Sequence, residues 1–158
     1  MTETVFDELM AEATAAARTF GHREHVHLTW LAVRRVGMPA AIALVSAGIQ
    51  RTARYAGAPQ KYHVTISRAW VELVAHHTAE HEQPDFWAFA ERNPALFDKR
   101  LLTRFYRSAT LAAARARTSW VEPDLAPFPW NGAPGLLTHH HACSHSNCSS
   151  CASTEFGV

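Results

Sequence analysis

The chain has 158 residues, of which 47% are hydrophobic and 18% charged, and its formal net charge is +1. This composition is typical of a globular protein that is long enough to bury a core. The near-neutral charge, without a basic block, gives no reason to expect nucleic acid or an anionic membrane as a partner. No apolar run is long enough to span a bilayer, and the acidic N-terminus does not resemble a secretory signal. We therefore expect a cytoplasmic protein.

Apolar residues recur at helical spacing through the first 120 residues, and glycine or proline marks several boundaries. Gly37 is expected to end one helix and Pro39 to begin the next. Trp30 and Trp70 fall on apolar helix stripes, which predicts that both pack in the core. The pattern predicts an all-α fold, a compact bundle of about six helices without a convincing strand. The expected helical segments are residues 6–19, 22–36, 40–55, 62–81, a short aromatic helix around 86–89, 96–106 and 108–117.

The character of the chain changes after Trp120. Residues 121–130 contain three prolines and cannot be helical, so we predict an extended strap across the bundle. Three of its side chains are expected to pack against the helical domain: Leu125, Phe128 and Trp130. Residues 131–135 are a Pro/Gly linker, and the remainder is too polar to build a core. The expected organisation is a helical domain over 1–130, followed by a linker and a flexible Cys/His-rich tail over 131–158.

Four separated motifs occur in the helical part: FGHREH, then KYHVT with RAW, then LFDKRLL, and finally WVEPDLAP. They lie at residues 20–25, 61–70, 96–102 and 120–127. In this order they resemble a group of small bacterial helical proteins that is uncharacterised. The resemblance covers roughly residues 15–130 and implies a bacterial origin and an intact helical domain. It implies no activity, and the tail is expected to be an addition peculiar to this chain.

Three histidines of the helical part are candidate site residues. His22 and His25 are three apart on one helix, and His63 begins another helix on its apolar stripe. Histidines from two helices can converge on Zn²⁺, Cu⁺ or iron, or can serve a small enzyme. The alternative is that each caps a helix or bonds within the core. A further cluster, His76, His77 and His81, is expected to form a solvated surface face. The chain has no phosphate loop, nucleophile elbow or His-Glu-x-x-His helix.

The tail holds all three cysteines of the chain, within nine residues and close to several histidines. Cys148 and Cys151 form a Cys-x-x-Cys pair, with Cys143 and His145 or His141 as further ligands. Thiolate and imidazole favour Zn²⁺ or Cu⁺ in tetrahedral sites. The spacing is not that of a zinc finger, so a pliable site is expected. This interpretation predicts metal sequestration, or delivery to a metal-accepting partner.

The same tail also fits a precursor. In that interpretation residues 1–130 are a recognition region, and the segment after Gly135 is modified by a peptide-modifying enzyme. Cys143, Cys148 and Cys151 are then the modification candidates. A third interpretation is an extension without a function of its own. Composition leaves these alternatives open.

Overall fold

The computed structural model describes residues 2–131, and its contacts divide the chain into two units, Met1–Ala126 and Pro127–Val158. The described part of the first unit is helical without a strand, which confirms the all-α prediction. Its α-helices are α1 (Thr2–Thr14), α2 (His22–Val36), α3 (Met38–Tyr55), α4 (Val64–Glu80), α5 (Phe86–Arg92), α6 (Ser108–Ala112) and α7 (Ala114–Thr118). Short 3₁₀ helices span Pro59–Lys61, Pro94–Phe97 and Lys99–Arg104. Among the described helices, none has the length and apolarity needed to cross a membrane.

The four long helices form the body of the first unit. Helix α2 packs against α1, α3 and α4, and α4 is buried on nearly every side. Trp30 and Trp70 are buried, as their positions on apolar stripes predict. The cluster shared by these helices comprises Phe6, Leu9, Ala13, Leu28, Ala32, Ala41, Leu44, Val45 and Val71. Small residues among them let the helices approach closely, and burial of this apolar surface stabilises the fold.

A single glycine separates α2 from α3. Gly37 has φ 77° and ψ 167°, a conformation that residues with a Cβ rarely adopt. Its amide donates to the carbonyl of Val33 and so satisfies an otherwise open carbonyl at the end of α2. Helix α3 begins at the next residue, with proline in its first turn. The predicted boundary between the two helices is therefore confirmed.

Helix α1 ends earlier than its periodicity predicts. It stops at Thr14, where the expectation was Thr19. The Thr14 hydroxyl donates to the carbonyl of Met10, and the next two turns tighten to i→i+3 hydrogen bonds. This tighter winding turns the following residues out of the helix toward the loop that carries Phe20.

The segment over 96–106 is not the α-helix that was expected. It consists of two 3₁₀ helices, Pro94–Phe97 and Lys99–Arg104, interrupted by extended backbone at Asp98. The Asp98 carboxylate accepts a hydrogen bond from the amide of Arg100 and caps the second of them. Such side-chain capping competes with a continuous helix.

The alanine-rich segment over 108–117 is likewise divided. The backbone is extended at Ala113, and short helices α6 and α7 lie on either side. The carbonyl of Leu111, which a continuous helix would pair with Arg115, instead accepts a hydrogen bond from His63. A tertiary contact therefore overrides the helix propensity of alanine here.

The first-unit part of the strap, residues 121–126, is not helical, bends over residues 124–126 and is held by its backbone. The Tyr106 hydroxyl donates to the carbonyl of Val121, and the amide of Leu125 donates to the carbonyl of Phe105. The Asp124 carboxylate accepts a hydrogen bond from the amide of Arg107. The Leu125 side chain is 51% exposed, so the expectation that it packs down is wrong. It is the backbone of Leu125, and not its side chain, that is anchored.

The described part of the second unit is residues 127–131. It contains a 3₁₀ helix, Pro129–Asn131, and the rings of Phe128 and Trp130 stack on each other with centroids 4.7 Å apart. The predicted tail lies outside the described residues.

Candidate ligand cleft around His22 and His25

A cleft of about 510 Å³ opens on the first unit where α2 and α4 meet the 3₁₀ segment Lys99–Arg104. Its walls include side chains of three kinds: aromatic rings, imidazoles and a polar pair. These are Phe20, Trp70, His22, His25, Lys99 and Thr103. A volume of this size is within the usual range for small-molecule sites. We refer to this feature as the His22–His25 cleft.

The imidazole of His22 has a fixed orientation. Its Nε2 lies 2.8 Å from the carbonyl oxygen of Leu96 and must carry the proton, because a carbonyl only accepts. Its ring meets that of Trp70 edge-on, with centroids 4.5 Å apart. Burial lowers the pKa of His22, the bond to Leu96 opposes this effect, and the Lys99 charge adds to it. His22 is therefore neutral at pH 7, with its Nδ1 lone pair not protonated.

His25 presents an unsatisfied buried nitrogen. Its Nε2 is shielded from solvent and has no hydrogen-bond partner among the described residues. Burial, with a smaller contribution from His22, lowers the pKa of His25 from 6.5 to about 4. The Phe20 ring lies beside it, with centroids 6.2 Å apart, and is 41% exposed. A buried polar nitrogen without a partner costs free energy, which a ligand that reaches it would recover.

His63 does not line the His22–His25 cleft, although its hydrogen-bond partner Leu111 does. Its Nδ1 accepts from the amide of Ile66 as the cap of α4, and its Nε2 donates to the carbonyl of Leu111 over 2.8 Å. Both ring nitrogens are occupied, so His63 has no lone pair left for a metal while these bonds persist. This geometry corresponds to the alternative in which the histidine caps a helix.

The polar rim of the cleft was not anticipated. Lys99 is exposed, and no carboxylate within residues 2–131 forms an ion pair with it. Its neighbour Asp98 is instead paired with Arg100 at 3.0 Å, and the hydrogen bonds from Arg100 lower the pKa of Asp98. Lys99 is one of two lysines in the chain and lies in the LFDKRLL motif, which was the available signal.

The second histidine cluster pairs with a carboxylate. His76 and His77 each lie within 3.4 Å of a Glu80 oxygen, and both side chains are partly exposed, at 24% and 27%. Burial lowers the pKa of His77 although Glu80 opposes this effect. His81 is exposed, as expected for a solvated face. Within the described range no three His, Cys, Asp or Glu side chains are grouped so that they could hold a metal ion.

A further polar cluster fastens the strap. Glu72 is buried beside Arg68, whose guanidinium lies 3.4 Å from the carboxylate and 4.2 Å above the Trp120 ring. Burial raises the pKa of Glu72, and the charge of Arg68 opposes this rise. Burial also raises the pKa of Tyr106, whose hydroxyl is bonded to the strap. These contacts join the RAW and WVEPDLAP motifs, so a structural role accounts for them.

The tail residues fall outside the described residues. They are the candidate ligands and modification sites His141, Cys143, His145, Cys148 and Cys151. Comparisons of the chain with protein-family models, with curated proteins and with solved structures give no match.

Proposed function

We propose that this protein binds one Zn²⁺ or Cu⁺ ion through its Cys/His tail, for sequestration or for delivery to an accepting protein. The ligands are Cys143, Cys148 and Cys151, with His145 or His141 as the fourth. The observation that carries the proposal is the Cys-x-x-Cys pair with a third cysteine and histidines close in sequence, a soft donor set that suits both ions.

The described residues form no metal site that could serve in place of the tail. They contain no cysteine, and they hold no group of three or more ligand side chains placed to share an ion. Both ring nitrogens of His63 are engaged, so it could share an ion with His22 and His25 only after the hydrogen bond at its ligating nitrogen had broken. This argument supports placing the metal in the tail. It also predicts that changes at His22 and His25 leave the metal stoichiometry unaltered.

The proposal is tested by competition with a chromophoric chelator on the reduced full-length chain. We expect one equivalent of Zn²⁺ or Cu⁺, and affinity that weakens as the pH falls below about 6 because the thiolates must lose protons to bind. The double substitution Cys148→Ser with Cys151→Ser should abolish binding. The matched control changes the intervening residues, Ser149→Ala with Ser150→Ala, and should bind normally. Retention of the metal by the cysteine variant would contradict the proposal.

A second candidate is a precursor whose tail is modified by an enzyme. It is favoured by the order of the chain: a helical unit fastened by its own internal contacts up to Leu125, and every cysteine located beyond a Pro/Gly linker. The decisive measurement is the intact mass of protein purified from its native host. Loss of water or hydrogen, or gain of methyl groups, mapped to Cys143, Cys148 or Cys151, would support this candidate over the metal site.

A further inference from the structure

We propose that the His22–His25 cleft binds a small monocarboxylate, whose apolar body packs on the aromatic wall and whose carboxylate pairs with Lys99. This inference is independent of metal binding by the tail. It rests on the shape of the cleft, on the unpartnered nitrogen of His25 and on the placement of a single cation at the rim.

The apolar wall accounts for the body of the ligand. Phe20, Ile66, Trp70 and Leu102 line the cleft, and Phe20 projects from the loop before α2 with much of its surface exposed. An aromatic or short aliphatic group placed among these side chains would remove apolar surface from water. The cleft volume, about 510 Å³, lies within the range of small-molecule pockets.

The polar groups of the wall account for the carboxylate. Lys99 supplies a positive charge that no carboxylate within the described range neutralises, because Asp98 is paired with Arg100. The imidazoles of His22 and His25 are neutral at pH 7, so they add no charge to that of Lys99. A single cation with few further donors fits a carboxylate better than a phosphate, which is usually bound by several arginines or amides.

His25 supplies a reason for the ligand to be held in one orientation. Its Nε2 is buried and unpartnered, with the Phe20 ring beside the imidazole. A shift of Phe20 on its loop would let this nitrogen, in the neutral tautomer that carries the proton on Nε2, donate to one carboxylate oxygen, while the other oxygen pairs with Lys99. Such a contact would satisfy a group that is otherwise a net cost to folding.

The test is isothermal titration calorimetry on the reduced full-length chain with a metal chelator present, so that tail metal binding cannot contribute. The probe is 3-phenylpropanoate, with an expected Kd of about 0.1–1 mM for a ligand of this size. The neutral isostere 3-phenylpropanamide and the variant Lys99→Gln should each weaken binding about tenfold, because both remove the charge pair. Lys61→Gln is the matched control, since Lys61 is the other lysine and does not line the cleft. It should bind within about twofold of the unchanged chain.

A readout specific to the imidazole completes the test. Nitrogen-detected NMR of the histidine rings should show the Nε2 resonance of His25 shifting on addition of 3-phenylpropanoate, with those of His76 and His81 unchanged. Three outcomes would overturn the proposal: no binding at about 10 mM ligand, equal affinity for the amide, or unaltered affinity in Lys99→Gln. Inorganic phosphate that binds as tightly as the carboxylate would also overturn it, because the cleft would then be a general anion site.

Discussion

The hydroxyl of Thr65 bonds to the backbone on both sides of Trp120, where the chain leaves α7 and enters the strap. It donates to the carbonyl of Ser119 over 2.8 Å and accepts from the amide of Val121 over 3.1 Å. Thr65 is fully buried in the first turn of α4, so water cannot replace either bond. One side chain therefore satisfies two backbone groups of a segment more than fifty residues away, and it sets the path of the chain after α7.

Replacing Thr65 with valine should destabilise the protein by about 2–4 kcal/mol, because two buried backbone groups lose their partner at nearly constant side-chain volume. The matched control is Thr29→Val. Thr29 is equally buried, but its hydroxyl donates only to the carbonyl of His25 in its own helix. That change should cost no more than about 1 kcal/mol. Urea unfolding at pH 7 measures both, and equal losses would contradict the role assigned to Thr65.

Gly48 on α3 lies directly against the ring of Phe6 on α1. A Cβ at this position would overlap the Phe6 ring. We therefore expect Gly48→Ala to destabilise the protein by about 2 kcal/mol, since overpacking outweighs the gain of about 1 kcal/mol in helix propensity. In a Phe6→Leu background the same substitution should be neutral or stabilising. A double-mutant cycle of unfolding free energies checks this, and additive effects would show that the ring is not the obstacle.

The long helices could be read from the sequence because their signals are local. The predicted segment 22–36 coincides with α2, and the ends of α3 and α4 differ from the prediction by at most two residues. Apolar periodicity and the glycine at position 37 are sufficient to define these elements. The short aromatic helix was also found, with Asp85 as its cap.

The backbone conformation over 96–106 and 108–117 could not be predicted in the same way, because it depends on hydrogen bonds to residues distant in the sequence. His22 bonds to Leu96, 74 residues away, and His63 bonds to Leu111, 48 residues away. The spacing of residues along the chain predicts neither hydrogen bond. In each case the histidine bonds to a backbone carbonyl in a segment that was expected to form a continuous helix. The same histidines were proposed as ligands. The structure brings His22 and His25 to one cleft and uses His63 as a cap.

The pH dependence of stability should report on His25. Its pKa of about 4 lies below the usual 6.5, so as the pH falls the unfolded chain takes up a proton before the folded one does. Stability is therefore lost between about pH 6.5 and 4, by roughly 2 kcal/mol from pH 7.5 to 5 for this group alone.

Substituting His25→Phe should remove that part of the acid sensitivity, while His81→Gln, at an exposed position, should not. The quantity to compare is the change in unfolding free energy between pH 7.5 and 5 within each variant, so that effects on packing that do not depend on pH cancel. Identical pH profiles for His25→Phe and the unchanged chain would contradict the lowered pKa.

The helical domain should fold without the tail. The contacts that hold α4, Tyr106 and the strap to one another are formed by residues 65–125, and the apolar periodicity ends before Asn131. A chain that ends at Trp130 should therefore keep its helical content and a thermal midpoint within about 5 °C of the full-length protein, a difference of roughly 1 kcal/mol for a domain of this size. Circular dichroism melts of both chains, recorded under reducing conditions with a chelator, measure the difference. A larger fall in the midpoint would show that the tail contributes to the stability of the fold and is not an independent appendage.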